Sequence, residues 1–568
     1  MVGFSRARPS VRGAAMWLVL LELRAPLITL ILAYAISCFG LVLIPGQTDT
    51  GEPYHLSFLQ AFYILSYTAT TIGFGEVPYP FTDTQRLWMM VVIYSTVIAW
   101  LYAIGSVLTV FTDPEFRKLR RHQKTVSRVR SNRSPFWIVC GYGGAGSQLV
   151  RFLDTSGMRC VVLDAEKTRV DSGRLSTLTY ELDVILGDAM DPDTLVDAGV
   201  QHPLCQGVAV LTDSDQVNLT VATNVRILAP RVPVFARSGS DANTRNLRSF
   251  ETDIVVDVER TAARAIGQLI QRPKAYALYH ELVDPDLNRI EAVPIPEVGH
   301  WIVCASGRFA ELVVDVLLRE GVSFVLVSPK APDPALGLDW IEGVGTEAAT
   351  LRHARIADAA GIIAATTHDG DNLSILLTAR SENSHLVTVA RRNRPASEPV
   401  FRHGEFSVVL REGRLLAQEM FARIQSPLLH QFLAQLDLMP EALVEGLIDK
   451  LHRRLPSPDV ELDHHVVDVT ESGAPAVVAQ LSGETAPRVG DLLVDSARTH
   501  PALPAICLLL VRFNGDLVPF PGENLQLQYG DALLMWGAQG VKSRMDWLLG
   551  REDVFAAVLA DRHAAHRT

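Results

Sequence analysis

The chain has 568 residues, enough for three or four folded units at about 150 residues per unit. Hydrophobic residues make up 48% of it and the formal net charge is −11, a composition that excludes a disordered or collagen-like chain. The six scattered cysteines are too few for a disulfide scaffold or a zinc cluster.

Two uncharged runs, residues 25–44 and 87–111, are each long enough to cross a hydrocarbon core of about 30 Å. They predict an outer and an inner membrane-spanning helix. A cleaved signal peptide is disfavoured, because the first apolar stretch carries Glu22 and then continues too far. Residues 1–24 are expected to form an N-terminal segment that ends at the membrane interface.

Basic residues flank these spans on one side. Four arginines precede the first span and eight lysines and arginines lie between residues 117 and 133, whereas the intervening loop holds only Arg86. The positive-inside rule predicts a multi-pass protein of the inner (plasma) membrane with both termini in the cytoplasm. Residues 112–134 are expected to form a basic linker helix. Because this run abuts a span and lacks interleaved aromatics, it indicates a membrane flank and no nucleic-acid partner.

The loop between the spans contains a candidate pore. Residues 57–70 are apolar, helical in pattern and too short to cross, which indicates a re-entrant helix buried in protein. They lead into Thr71-Ile72-Gly73-Phe74-Gly75. Rings of backbone carbonyls can replace the hydration shell of a cation, and alternate left-handed residues, which glycine permits, point successive carbonyls the same way.

This segment, TATTIGFGE, resembles the potassium-channel signature TxxTxGYGD. The resemblance implies that residues 25–111 form a pore domain of four chains, with residues 71–75 as the selectivity filter. Two departures are visible: Phe74 lacks the hydroxyl of the commoner Tyr, and Tyr67 stands where some members carry an acid. Gly105, in the inner helix, is a candidate gating hinge, with close packing of a small residue as the alternative.

A dinucleotide fingerprint follows the basic run. A short apolar strand runs into Gly141-Tyr142-Gly143-Gly144-Ala145-Gly146, and a second strand ends in Asp164, 18 residues after Gly146. The glycines permit a tight turn and close approach to a pyrophosphate at a helix N-terminus, and Asp164 can bind ribose hydroxyls. Thr212 and Asp213 follow a later strand and are candidate contacts, although Asp213 and Asp215 could instead cap the next helix.

The pattern recurs further along the chain. Trp301-Ile302-Val303-Cys304 repeats Trp137-Ile138-Val139-Cys140 at an offset of 164 residues, so the unit is duplicated. The second copy has Ala305 and Ala310 in place of two of the glycines, and Ser328 in place of the ribose carboxylate. A structural or dimerising copy is therefore favoured over a second dinucleotide site.

The duplicated units resemble RCK domains, the regulators of potassium conductance. The resemblance assigns residues 135–298 and 299–455 to two RCK domains, and residues 456–568 to a small α+β C-terminal lobe and tail, entered through a linker at Pro456–Pro458. It also places Asp188 near an adenine. The expected fold is a two-span α-helical tetrameric pore with tandem Rossmann-like α/β domains, so that a homotetramer would carry a cytoplasmic ring of eight RCK units.

These patterns predict a potassium-selective channel gated by a small-molecule ligand. The ligand would bind one conformation of the cytoplasmic ring better than another and so shift the equilibrium between them. NAD or an adenine nucleotide at the first RCK domain is the expected ligand. Calcium is an alternative implied by the resemblance alone, with Asp183, Asp253, Asp257 and Glu259 as candidate ligands of a divalent cation. An alternative of another class, a membrane-anchored NAD-dependent oxidoreductase, is disfavoured because no residues for hydride chemistry stand out beside the glycine turn.

Overall fold

The computed structural model describes residues 11–112, 114–174, 178–284, 292–296, 298–454, 460, 462–483, 485–495 and 502–565. The chain divides into two units, Met1–Ser131 and Asn132–Thr568. The predicted linker at Pro456–Pro458 lies outside the described residues.

The first unit is built on four helices and a short hairpin. These are α1 (Val11–Leu43), β1 (Gly46–Gln47), β2 (Pro53–Tyr54), α2 (Phe58–Ala69), α3 (Asp83–Thr112) and α4 (Pro114–Arg130), with β1 and β2 antiparallel. Segments Leu23–Leu43 and Asp83–Thr109 are long and apolar enough to cross a membrane. The outer helix α1 begins at Val11, before its predicted start at residue 25. The inner helix α3 begins at Asp83, four residues before its predicted start at 87.

The two long helices approach each other closely at a glycine. A Cβ added to Gly40 would lie 2.3 Å from the indole of Trp88, so only a residue without a side chain fits there. The Trp88 Nε1 atom donates a hydrogen bond to the Ser37 carbonyl at 3.2 Å. Large apolar side chains on the outer faces of both helices, such as Ile31 and Leu101, are exposed in this single chain, as expected of surfaces that meet lipid or neighbouring chains.

The second unit opens with a Rossmann-like lobe. Its elements are β3 (Phe136–Cys140), α5 (Gly144–Thr155), β4 (Arg159–Asp164), α6 (Lys167–Arg174), β5 (Asp183–Leu186), α7 (Pro192–Asp197), β6 (Cys205–Val210), α8 (Asp215–Leu228), β7 (Val234–Ser238), α9 (Asp241–Ser249), β8 (Ile254–Asp257), α10 (Val258–Gln271) and α11 (Pro273–Val283). The strands are all parallel, in the order β5-β4-β3-β6-β7-β8. This order is that of a doubly wound dinucleotide-binding sheet, which binds ligands at the carboxyl ends of its strands.

A second lobe repeats this architecture. Its elements are β9 (His300–Ala305), α12 (Gly307–Arg319), β10 (Phe324–Ser328), β11 (Trp340–Glu342), α13 (Ala348–His353), β12 (Ala359–Ala365), α14 (Asp369–Glu382), β13 (Val387–Arg392), α15 (Glu398–His403), β14 (Val408–Arg411), α16 (Glu412–Gln425), α17 (Pro427–Leu436) and α18 (Glu441–Arg454). The parallel order β11-β10-β9-β12-β13-β14 matches that of the first lobe.

The two lobes exchange the helices that follow their last strands. Helix α16 of the second lobe packs on α5 of the first, and α10 of the first packs on α12 of the second. Phe421 of α16 is buried against Phe152 of α5, with ring centroids 5.6 Å apart. In the contact between α10 and α12, a Cβ on Gly267 would lie 2.4 Å from Val316, so these two helices are also closely packed. The exchange brings residues of the second lobe to the glycine turn of the first.

The C-terminal lobe is a small α+β unit. It comprises β15 (Leu462–Asp468), α19 (Pro475–Gln480), β16 (Ala505–Val511), β17 (Leu517–Pro519), β18 (Ala532–Ala538), α20 (Val541–Leu549) and α21 (Glu552–Ala565). Its antiparallel sheet has the order β15-β18-β16-β17, and Leu508 and Trp536 share a core with Phe432 of α17. Two apolar spans, two Rossmann-like lobes and this lobe confirm the predicted fold class.

Candidate functional site

The segment after α2 has the backbone conformation that a carbonyl-lined filter requires. Thr71, Gly73 and Gly75 have φ angles of +62°, +66° and +92°, so every second residue is left-handed. A Cβ at either glycine would meet nothing within 4 Å, which means that the glycines serve the backbone conformation and not close packing within this chain. Helix α2 ends at the filter, where the Ile72 amide donates to the Tyr67 carbonyl at 2.8 Å.

Tyr67 contacts two residues of the predicted filter, Phe74 and Gly75. Its hydroxyl donates a hydrogen bond of 2.6 Å to the carbonyl of Gly75. The ring of Phe74 packs edge-on against Tyr67, with centroids 5.4 Å apart, and stacks on Tyr63 at 6.4 Å. Tyr67 therefore supplies a hydroxyl that Phe74 lacks, a contact that the sequence pattern did not predict.

Glu76 ties the end of the filter to the inner helix. Its carboxylate accepts hydrogen bonds from Arg86 Nε at 2.9 Å and Arg86 Nη2 at 3.1 Å, and from the Phe81 amide at 2.9 Å. Bidentate pairs of this kind fix orientation as well as charge. From the sequence, Arg86 was recognised only as the one basic residue of the loop, and its pairing with Glu76 was missed.

Gly105 lies within the continuous helix α3. A Cβ there would meet nothing within 4 Å, so close packing against the described residues of this chain does not explain the glycine. Its role as a gating hinge stays a prediction.

The predicted dinucleotide turn lies between β3 and α5. Gly141 has φ +97°, and a Cβ on it would lie 3.1 Å from the backbone of Leu211. A Cβ on Gly146 would lie 1.8 Å from the carbonyl oxygen of Gly141, a distance that no side chain can occupy. Gly143 is the N-cap of α5, so the turn delivers the positive end of a twelve-residue helix to the carboxyl edge of the sheet.

Asp164 lies at the end of β4 beside this turn and is only 7% exposed. Its Oδ2 accepts from the Tyr142 amide at 2.6 Å, and its Oδ1 accepts from the Glu166 amide at 2.7 Å. The carboxylate therefore braces the glycine turn. Since each carboxylate oxygen can accept a second hydrogen bond, this position is still compatible with ribose hydroxyls as donors.

The remaining predicted contacts have different surroundings. Asp188 is exposed and its Oδ1 accepts from the Met190 amide at 2.9 Å, a local turn bond. The Thr212 hydroxyl donates to the buried Asn218 side chain at 2.6 Å. The same Thr–Asn bond recurs in the second lobe, so it is part of the scaffold. Asp213 pairs with Arg237 at the ends of β6 and β7.

The expectation that Asp213 or Asp215 caps helix α8 is wrong. The N-cap is Ser214, whose side chain accepts from the Val217 amide. Asp215 instead accepts from the Gly239 amide and from the Ser240 hydroxyl, which connects α8 to the loop after β7.

A cavity of about 720 Å³ opens beside the glycine turn. Gly143, Gly144, Ala145 and Asp213 line it, whereas the other predicted contacts of the first lobe (Gly141, Tyr142, Gly146, Asp164, Asp188 and Thr212) are not among its lining residues. Seven arginines and three acidic residues line this cavity, and four of the arginines come from the second lobe. These second-lobe residues were missed, since nothing in the linear pattern shows that the lobes exchange helices.

The corresponding place in the second lobe is filled by the chain itself. Arg308, which follows Gly307 at the start of α12, extends to the N-terminus of α10. Its guanidinium binds Asp241 at 2.8 Å, Glu259 at 3.1 Å and Asp257. The hydrogen bonds that Arg308 donates, to Asp257 in particular, raise its pKa above the ordinary value. The second copy therefore holds an internal ion cluster where the first copy has an open cavity.

This cluster also bears on the candidate divalent-cation ligands. Asp257 and Glu259 are taken by Arg308, and Asp253 accepts from the Val234 amide at 2.7 Å. Asp183 lies on β5, at the opposite edge of the sheet from β8. The four acids are not brought together, and no group of three metal-binding side chains occurs among the described residues.

Comparisons with known proteins agree with these features. The TrkA-N domain model matches residues 137–258 and 301–412, one match in each lobe. Potassium channel protein 1 of Methanocaldococcus jannaschii is 23% identical over 279 residues, which cover 49% of this chain and 80% of that protein. The voltage-gated potassium channel Kch of Escherichia coli is 22% identical over 38% of this chain and 50% of its own length. A solved structure of the GsuK channel bound to NAD has a TM-score of 0.47 and 16% identity, over 94% of this chain and all of that one.

Proposed function

We propose that this chain, which belongs to the prokaryotic potassium channels with RCK (TrkA-N) domains, forms a potassium-selective pore opened or closed by a nucleotide bound at its first lobe. The observation that carries the pore is the left-handed alternation at Thr71, Gly73 and Gly75, between two apolar spans and behind a short helix. Four copies around one axis would bring the carbonyls of residues 71–74 into rings that replace the water around K⁺.

The proposed assembly is a homotetramer in the inner membrane with both termini in the cytoplasm. Eight TrkA-N lobes would then form a ring below the pore. The chain runs from the inner helix α3 through α4 into the first lobe, so a change in ring shape would act on the inner helices. The matched relatives include potassium channels, which favours this role over that of an oxidoreductase.

The proposed ligand is NAD or an adenine nucleotide. The glycine turn allows close approach of phosphates to the N-terminus of α5, and Asp164 lies beside it with acceptor capacity for ribose. A ligand that binds one ring shape better than another shifts the equilibrium between them by its differential affinity. Differential affinity for the two ring conformations is the only property that gating requires of the nucleotide.

The pore is tested by ion flux from liposomes that contain the purified full-length protein. The wild type is expected to release K⁺ and retain Na⁺. Gly73→Ala places a side chain on a left-handed residue, which costs roughly 1 kcal/mol or more per chain, and should abolish selectivity. Gly51→Ala is the matched control, because Gly51 is also left-handed (φ +84°) with nothing within 4 Å of an added Cβ among the described residues, yet lies outside residues 71–75. Equal K⁺ and Na⁺ flux through the wild type would refute the selectivity filter.

Nucleotide binding is tested by isothermal titration calorimetry with NAD, ADP and ATP on the same protein. Asp164→Asn should weaken binding, whereas Asp339→Asn, an exposed acid in the second lobe, should not. Wild-type protein that gives no heat with any of the three would refute a nucleotide ligand while leaving the pore intact.

A further inference from the structure

Three arginines of the second lobe share a single carboxylate. Arg392 ends β13, Arg402 lies on α15 and Arg411 is the N-cap of α16; we call these three the arginine cluster. Glu398 lies 2.8 Å from Arg411 Nη2, 3.5 Å from Arg402 Nη2, and also contacts Arg392. Glu398 is thus the carboxylate that contacts all three guanidiniums, while the charges of Asp369 and Asp284 act on Arg392 and Arg411, respectively, and the arginines still outnumber the acids that contact them.

The electrostatics of the cluster reflect this excess. Burial, and then the neighbouring Arg411, lower the pKa of Arg392 below its ordinary value. Burial, followed by Arg414 and Arg402, lowers the pKa of Arg411 in the same way. At Arg392 and Arg411 burial and neighbouring cations outweigh the nearby acids, and an anion beside them would relieve the repulsion between the guanidiniums.

The arginine cluster and the glycine turn line the same cavity. The two lobes touch there: a Cβ on Gly144 would lie 3.5 Å from Pro395, and a Cβ on Gly413 would lie 3.0 Å from the backbone of Gly144. Helices α5 and α16 both begin at this point, so two helix N-termini add their positive ends to the three guanidiniums. The cavity is large enough, at about 720 Å³, for a drug-sized ligand.

The corresponding place in the second lobe has the opposite charge arrangement. The helix that packs at this place is α10, whose N-cap is Asp257, whereas the helix beside the first-lobe cavity is α16, whose N-cap is Arg411. Arg308 occupies the position in the second lobe that Gly144 occupies in the first. The second place is neutralised by the chain's own acids and arginine. The first place is an open cavity lined by seven arginines and three acidic residues, so positive charge is in excess there.

We propose that the arginine cluster of the second lobe binds the phosphates of a nucleotide held at the glycine turn of the first, so that the ligand bridges the two lobes. The ligand class is a nucleotide with at least two phosphates, such as a nucleoside diphosphate or a dinucleotide. This inference rests on the proposed nucleotide site and adds the second lobe to it. Binding of the nucleotide then stabilises one arrangement of the exchanged helices α10 and α16.

The test compares ADP and adenosine by calorimetry on purified full-length protein. Arg402→Gln and Arg411→Gln remove single charges; the Arg402 side chain is 72% exposed, so its loss leaves the fold intact. Each variant is expected to bind ADP about tenfold more weakly, the size of one lost charge-assisted hydrogen bond. Arg411→Lys should restore part of the affinity, because it restores the charge.

The matched control is Arg352→Gln, an exposed arginine of the same lobe that pairs with Glu382 and is not among the residues lining the cavity. ADP binding that is unchanged in both cluster variants would overturn the inference and leave the first-lobe site standing. Wild-type ADP binding should also weaken as salt is raised from 50 to 500 mM, more steeply than adenosine binding, and equal salt dependence would overturn the inference. Wild-type protein that binds no nucleotide would overturn the proposed ligand itself.

Discussion

Arg308→Gln is predicted to destabilise the interface between the exchanged helix α10 and the second lobe. Arg308 binds Asp241, Asp257 and Glu259, and the Asp257 side chain is only 6% exposed. Removal of the guanidinium leaves a buried carboxylate with fewer partners, although the Arg260 amide still donates to it at 3.1 Å. The remaining glutamine cannot replace a cation with three acidic contacts.

The magnitude follows from burial. Loss of one partner from a fully buried ion pair costs about 3–5 kcal/mol. Because the Arg308 side chain is 24% exposed and Asp257 keeps its helix-cap bond, we expect a smaller loss, about 2–3 kcal/mol. The second unit, Asn132–Thr568, has an unfolding entropy of about 0.9 kcal/mol/K at roughly 2.1 cal/mol/K per residue, so this loss corresponds to a fall in melting temperature of about 2–3 °C.

The assay is thermal unfolding of the full-length protein, followed by intrinsic tryptophan fluorescence. Arg352→Gln is the control, since it removes an arginine that is 64% exposed and should leave the melting temperature close to that of the wild type. The double variant with Asp257→Asn should lose less than the sum of the two single losses, because the two residues share one interaction. A melting temperature for Arg308→Gln within 1 °C of the control would refute the reasoning.

Three further predictions concern the filter, the nucleotide turn and a buried histidine. Tyr67→Phe removes the hydrogen bond to Gly75 at a cost of about 1 kcal/mol, so single-channel records should show non-conducting filter events about five times as often; unchanged records would contradict the bond. Gly146→Ala should abolish ADP binding by calorimetry, while Gly370→Ala, where a Cβ meets nothing within 4 Å, should bind normally. Burial lowers the pKa of His280 from 6.5 to about 4, so the fold requires the neutral ring. Full stability is present above pH 6.5, the ordinary pKa that the unfolded chain has, and it falls by about 3 kcal/mol as the pH drops from 6.5 to 4, so His280→Gln should flatten this part of a pH–melting curve.

The sequence predicted those features that depend on local pattern. Run length and charge located both spans, and the glycine spacing identified the segment whose backbone alternates at Gly73 and Gly75. The turn from Gly141 to Gly146 and the duplicated lobes followed from spacing and an internal repeat. The resemblance to potassium channels with RCK domains is confirmed by the matched relatives and the two TrkA-N domains.

The features that were missed depend on contacts between distant residues. Arg411 meets the turn at Gly144 only because the lobes exchange helices, and a linear sequence does not show which helix crosses over. Arg308 meets Asp257 for the same reason, which removed a candidate metal ligand from consideration. The hydroxyl of Tyr67 was noted only as a departure from a family pattern, because its bond is set by the fold of the loop.

The central claim is that a potassium-selective pore is controlled by a nucleotide at the first lobe. The most direct measurement is single-channel recording in planar bilayers under a K⁺/Na⁺ gradient, with NAD or ADP added to the cytoplasmic face. We predict a reversal potential that follows K⁺, and an open probability that changes with nucleotide in the wild type but much less in Asp164→Asn. A reversal potential near zero, or an open probability that ignores both nucleotides, would contradict the account.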